Sequence, residues 1–157
     1  MLFKDALKKS RGVEEVSALN ESSDKELTAA MAILKPGVYE VHEWIFMYYN
    51  GKENKTTQVV VTEQGVEVKN PEQPLKPSTV ALDLSKVKTN SDNMIKKAVD
   101  EFKKYKKPLS QVIINLTQEE KPVWRFSFIT KSLEVVTIKI NAETGEVLDK
   151  KIQALTK

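Results

Sequence analysis

Between residues 110 and 152 the apolar side chains fall at every second position, in four short runs: 110–116, 123–130, 134–141 and 146–152. A helix cannot gather such a pattern on one side, whereas a strand does so automatically. Trp124, Phe126 and Phe128 share one face of the second run. Val136, Ile138 and Ile140 share one face of the third, with Thr137 and Lys139 opposite. Glu143-Thr144-Gly145-Glu146 reads as a hairpin turn, with Gly145 free to take a positive φ. The spacing therefore predicts an antiparallel meander.

Upstream, Ser91 is placed to cap a helix over 92–106 that buries Ile95, Ala98, Phe102 and Tyr105 and ends before Pro108. Leu2, Phe3, Ala6 and Leu7 recur at helical spacing, predicting a short amphipathic helix that stops near Gly12. It packs on the domain, with a partner-binding arm as the alternative. Ser23 and Glu26 have the spacing of a capping box. Leu27, Met31 and Leu34 then form a stripe that predicts a helix, stopped by Pro36-Gly37.

Residues 38–50 are dense in β-branched and aromatic types and read as a strand. Trp44, Phe46 and Tyr48 share one face; Ile45, Met47 and Tyr49 share the other. A strand apolar on both faces is central, or meets another layer or a second subunit. Homodimerisation is thus one expectation. After an Asn50-Gly51 turn, 57–62 and 65–69 read as shorter strands, and Pro71, Pro74 and Pro77 mark a linker. Residues 80–84 read as a short strand after it.

The halves follow one plan. Residues 59–68 resemble 138–147, and the aromatic strand at 38–49 matches 123–129. The reading is an amphipathic segment at 1–22, a helix-plus-meander unit at 23–70, a Pro-rich linker at 71–89 and a second unit at 90–157. The fold class is α+β: two helix-plus-antiparallel-meander units, each with its helix packed on a curved sheet.

Composition narrows the chemistry. The chain of 157 residues has no cysteine and one histidine, His42, which excludes disulfides, thiolate metal sites and multi-histidine zinc sites within one chain. Its five glycines stand singly, so no phosphate loop is present. The carboxylate pairs Glu14-Glu15 and Glu119-Glu120 point opposite ways if extended. His42 lies between Glu40 and Glu43 and reads as a solvated strand histidine, with an acid/base or metal role as the alternative. No catalytic, metal or cofactor-binding residue is assigned. Net charge is +3, but residues 1–85 hold 10 basic and 13 acidic groups, giving −3, and residues 86–157 hold 15 and 9, giving +6. No run is long enough to span a membrane. Read from Met1 the chain is cytoplasmic; removal of a leader would make it secreted or envelope-associated.

The helix with Ala98 and Phe102, the strand Val123-Trp124-Arg125-Phe126-Ser127-Phe128 and the run Ile138-Lys139-Ile140-Asn141-Ala142-Glu143-Thr144-Gly145-Glu146-Val147 together resemble a PepSY domain over about residues 90–152. The family usually has aspartate where Asn141 stands. The first half resembles it in plan, as a degenerate repeat. The resemblance implies a PepSY/cystatin-like fold and a non-catalytic binding or regulatory module, with a protein partner such as a peptidase. Trp44, Tyr48, Tyr49, Trp124 and Arg125 are the candidate interaction surface. The alternatives are a small-molecule or lipid pocket between helix and curved sheet, and weak nucleic-acid binding through the lysines of 86–107. Scarce arginine, only Arg11 and Arg125, disfavours the latter.

Overall fold

Every strand finds antiparallel partners in one sheet. The computed structural model describes residues 1–73 and 77–155, so Pro74 of the predicted linker lies outside the described residues. Helices α1 (Phe3–Arg11) and α2 (Glu14–Glu21) precede strands β1 (Lys25–Leu34), β2 (Glu43–Asn50), β3 (Lys55–Thr62) and β4 (Gly65–Val68). Helix α3 (Ser91–Lys103) precedes β5 (Leu109–Gln118), β6 (Pro122–Thr130), β7 (Glu134–Asn141) and β8 (Val147–Ala154). The order across the sheet is β4-β3-β2-β1-β5-β6-β7-β8. Each half is thus helical first and a four-stranded meander second, and the seam is the β1–β5 pair. The α+β class and the antiparallel sheet agree with the expectation.

The helix predicted after Ser23 is instead strand β1. Leu27, Met31 and Leu34 do have helical spacing, but 29–34 is also a continuous apolar run, which periodicity alone cannot assign. Packing decides it. β1 lies between β2 and β5, and its alanines Ala29, Ala30 and Ala32 are at most 2% exposed. Small residues there leave room for aromatic rings. Phe3 of α1 enters that space, its ring 5.5 Å from both Trp44 and Trp124 and 5.7 Å from Phe46. A helix at 25–34 would bring wider side chains and leave β2 and β5 without a shared neighbour. The counterpart of α3 in the first half is therefore α1–α2, ahead of the meander.

Smaller corrections follow local chemistry. Asn90, not Ser91, caps α3: its Oδ1 accepts from the Asn93 amide at 3.1 Å. Ser91 Oγ instead accepts from the Phe3 amide at 3.0 Å, satisfying one of α1's orphan donors. Residues 38–42 lie before β2, and 80–84 form no strand; Leu82 gives one backbone bond to Leu27. Helix α2 buries only Val16 and Leu19, too short a stripe to stand out in the sequence.

The registers of the two halves match. Phe46 lies between Ala30 and Val59, and Phe126 between Ile114 and Ile138. Ile45 pairs with Met31, and Arg125 pairs with Asn115. Met31 and Asn115, equivalent by this correspondence, pair with each other across the seam. An approximate twofold axis therefore pierces the sheet there. All three helices cover one face, over a core that joins Trp44, Phe46 and Tyr48 to Trp124, Phe126 and Phe128.

Candidate interaction surface

The residues of the PepSY-like signature do structural work. Asn141 Oδ1 accepts from the amides of Glu143 (2.8 Å) and Thr144 (3.2 Å), closing an Asx turn that an aspartate would close equally well. Gly145 has φ +79, and a Cβ there would meet Met94 Cε at 3.4 Å. The Ala142 carbonyl receives the amides of Lys88 and Thr89 and the Thr89 hydroxyl. Thr89 Oγ1 in turn accepts from Trp124 Nε1 at 3.0 Å. The Lys97 ammonium donates to the Gly145 carbonyl. This network ties the β7–β8 turn to the start of α3 and so fixes where β8 runs.

That placement matters because β8 is an edge. Among the described residues it pairs with β7 alone, and seven of its eight residues, Leu148 to Ala154, are exposed. Leu148 is 48% exposed and Ile152 39%, with Leu155 just beyond at 54%. The opposite edge, β4, has only four residues, and Glu72 bridges back to Thr56 beside it. A long unpaired edge offers backbone donors and acceptors to an extended peptide. Lys150 of β8 reaches Glu101 of α3 at 3.1 Å, and Lys104 reaches the same carboxylate. The Lys150 and Lys104 hydrogen bonds hold the Glu101 carboxyl below its ordinary range. Lys107, then Ser132, do the same for Glu134.

Three of the five candidate surface residues are not on the surface. Trp44 is 0% exposed, and Tyr48 and Trp124 are 1%. They face the helices, because the alternation that groups them turns the whole set inward. Burial pushes the Tyr48 phenol up, only partly offset by its hydrogen bond to Asn20 at 3.1 Å. Tyr49 and Arg125 lie on the other, helix-free face, half-buried and exposed respectively. The signature pattern carried no mark of the edge; only the sheet order reveals Leu148 and Ile152.

The other candidates are dispersed. His42 is exposed, 4.0 Å from both Glu40 and Glu63, and precedes β2 instead of alternating within it. Glu14-Glu15 opens α2, and Glu119-Glu120 sits in the β5–β6 turn. Among the described residues no cluster of three Asp, Glu or His could hold a metal ion, and no helix is long and apolar enough to cross a membrane. Several lysines of 86–107 already meet carboxylates: Lys88 with Glu143, Lys104 with Glu101, Lys107 with Glu134. Where α1 meets the start of α3 lies a cleft of about 120 Å³ lined by Leu2, Phe3 and Ser91, and between α2 and the β3–β4 side of the sheet an open cleft of about 350 Å³ lined by Leu19, Thr57 and Val68, within the roughly 300–1,000 Å³ of ligand pockets.

Comparison with known proteins agrees with this geometry. Residues 95–151, from α3 to β8, match the model of the PepSY family, described as peptidase propeptide and YPEB domain. No protein of curated function matches the chain. The crystal structure of a candidate lipoprotein from Clostridium difficile 630 is similar over 98% of this chain and 93% of that one, with a TM-score of 0.56 and 12% identity, and so shares the fold. Over residues 95–151 the chain is thus similar to a PepSY domain.

Proposed function

We propose that the chain is a non-catalytic regulatory module that binds a peptidase, taking an extended segment of the enzyme along the edge of β8. The observation that carries this reading is the coincidence of the PepSY match with the long open edge: the matched residues end within β8, and their signature turn holds that strand in place. Strand addition supplies backbone hydrogen bonds, and the alternating side chains supply selectivity. Leu148 and Ile152 are the apolar contacts, with Lys150 on the rim. The matched registers support the companion reading that the first half is a degenerate repeat, joined to the second through 71–89. A module of this kind works outside the cytoplasm, secreted or at the envelope, where PepSY domains are typically found.

The test is inhibition of a thermolysin-type metallopeptidase by the purified chain. The expected result is saturable inhibition that weakens by about tenfold or more in a Leu148→Asp/Ile152→Asp variant, as loss of two apolar contacts implies. Both side chains are substantially exposed, so the variant keeps its melting temperature. Absence of any binding or inhibition would overturn the reading.

A further inference from the structure

We propose that the helix-free face of the sheet is a dimer interface, covered by the same face of a second copy of this chain. An antiparallel sheet with one open face normally alternates apolar inward and polar outward. Here the outward positions of the central strands include Met31, Ile33, Ile45, Met47 and Ile113, beside the polar Gln111, Asn115 and Thr117 of β5. Ile33 is 52% exposed, and the other four apolar side chains are half-buried only by their own neighbours. No described element lies across them.

The charges on either side of this apolar centre point to the same chain as occupant. One straight row crosses all eight strands on the open face: Glu67, Val60, Ile45, Met31, Asn115, Arg125, Lys139, Asp149. Toward β4 the outward strand positions carry Glu26, Glu43 and Glu67 and no cation. Toward β8 they carry Arg125, Lys139 and Lys151 against Asp149. A twofold axis along the central strands lays the acidic side of one copy over the basic side of the other, with the apolar centres in contact. Arg125 has a cation, Lys139, as its direct cross-strand neighbour, and like charges so placed repel. Among the described residues Arg125 has no carboxylate partner, whereas Lys139 meets Glu119 at 3.2 Å. The axis lays β2 of the second copy over β6, and its Glu43, next to Ile45 on the same face, comes nearest Arg125 and relieves that repulsion.

The area is sufficient. Eight strands spaced about 4.8 Å apart, contacted over about six residues of each, give a footprint of order 700 Å² per copy. A stable interface buries about 800 Å² per partner. This surface is separate from the β8 edge, so the dimer and the peptidase reading stand or fall apart.

Sedimentation of the full chain tests the proposal. The expected mass rises with concentration from 17.8 kDa to twice that value. Arg125→Glu weakens association by about tenfold, and Glu43→Lys added to it restores association, because the charges are exchanged across the interface. Both residues are exposed, so melting temperatures stay close to that of the original chain. The absence of cysteine allows a second measurement: a Met31→Cys variant, beside the axis, is captured as a dimer by a short bifunctional thiol linker that spans the ~10 Å between stacked sheets. An exposed α2 control, Ala18→Cys, is not. A monomer at every concentration, or linkage no faster at Met31→Cys than at the control, overturns the proposal.

Discussion

Phe3 stands edge-on to two tryptophans that belong to different halves of the chain. Its ring is at 76° to Trp44 and 90° to Trp124, which brings positive ring edges to negative ring faces. Trp44 and Trp124 lie 6.0 Å apart, and their indole N–H groups donate to the Met1 carbonyl and the Thr89 hydroxyl. One residue of α1 thus closes the core over the seam. Phe3→Ala removes a 2%-exposed ring from this cluster. The expected cost is about 3–5 kcal/mol of unfolding free energy, measured by urea denaturation followed through tryptophan fluorescence. A cost near zero would mean that α1 does not bind the halves together. The apolar stripe of residues 2–7 was plain in the sequence; that it sits between Trp44 and Trp124 was not, because the contact spans 121 residues and depends on the sheet order.

At the level of elements, β1 decides the architecture. As a helix it would leave a three-stranded meander, β2–β4, and a four-stranded one, β5–β8, unjoined; as a strand it gives β2 and β5 a common neighbour. Ala30 is the most direct probe. It is 0% exposed, flanked by Phe46 on one side and Leu116 on the other. Ala30→Leu overfills this space and is expected to destabilise the fold by about 1–3 kcal/mol, read from chemical denaturation. In an amphipathic helix the same exchange swaps one strong helix former for another and costs little. The strands β2 to β8 were legible because alternation with one buried face is a local signal. Strand β1 was not, since three alanines, a methionine and two leucines suit a helix equally well and only the neighbouring strands overrule them. The caps were legible to within a residue: Asn90 and Ser91 adjoin, and their side chains serve different partners.

Across the whole molecule, the helices and the aromatic core occupy one side of the sheet, leaving the β8 edge and the open face as its two large uncovered surfaces. The signature around Asn141, Thr144 and Gly145 was visible in the sequence, but its residues hold the turn and do not form the surface. The surface had to be read from topology: β8 is last in the sheet order, so among the described residues its outer side has no strand partner. Three aromatic candidates failed for the converse reason, since the sequence pattern that makes a strand conspicuous is the pattern of its buried face. The charge split between the halves survives as a real asymmetry, with acidic groups outward near β4 and basic groups outward near β7. The central claim is that the module binds through the β8 edge. Amide hydrogen exchange on the full chain, with and without a thermolysin-type metallopeptidase held inactive by chelation of its metal, tests it most directly. Slowed exchange concentrated in Val147–Ala154 on adding the enzyme is the expected result; unchanged exchange there, whether protection appears elsewhere or nowhere, would contradict it.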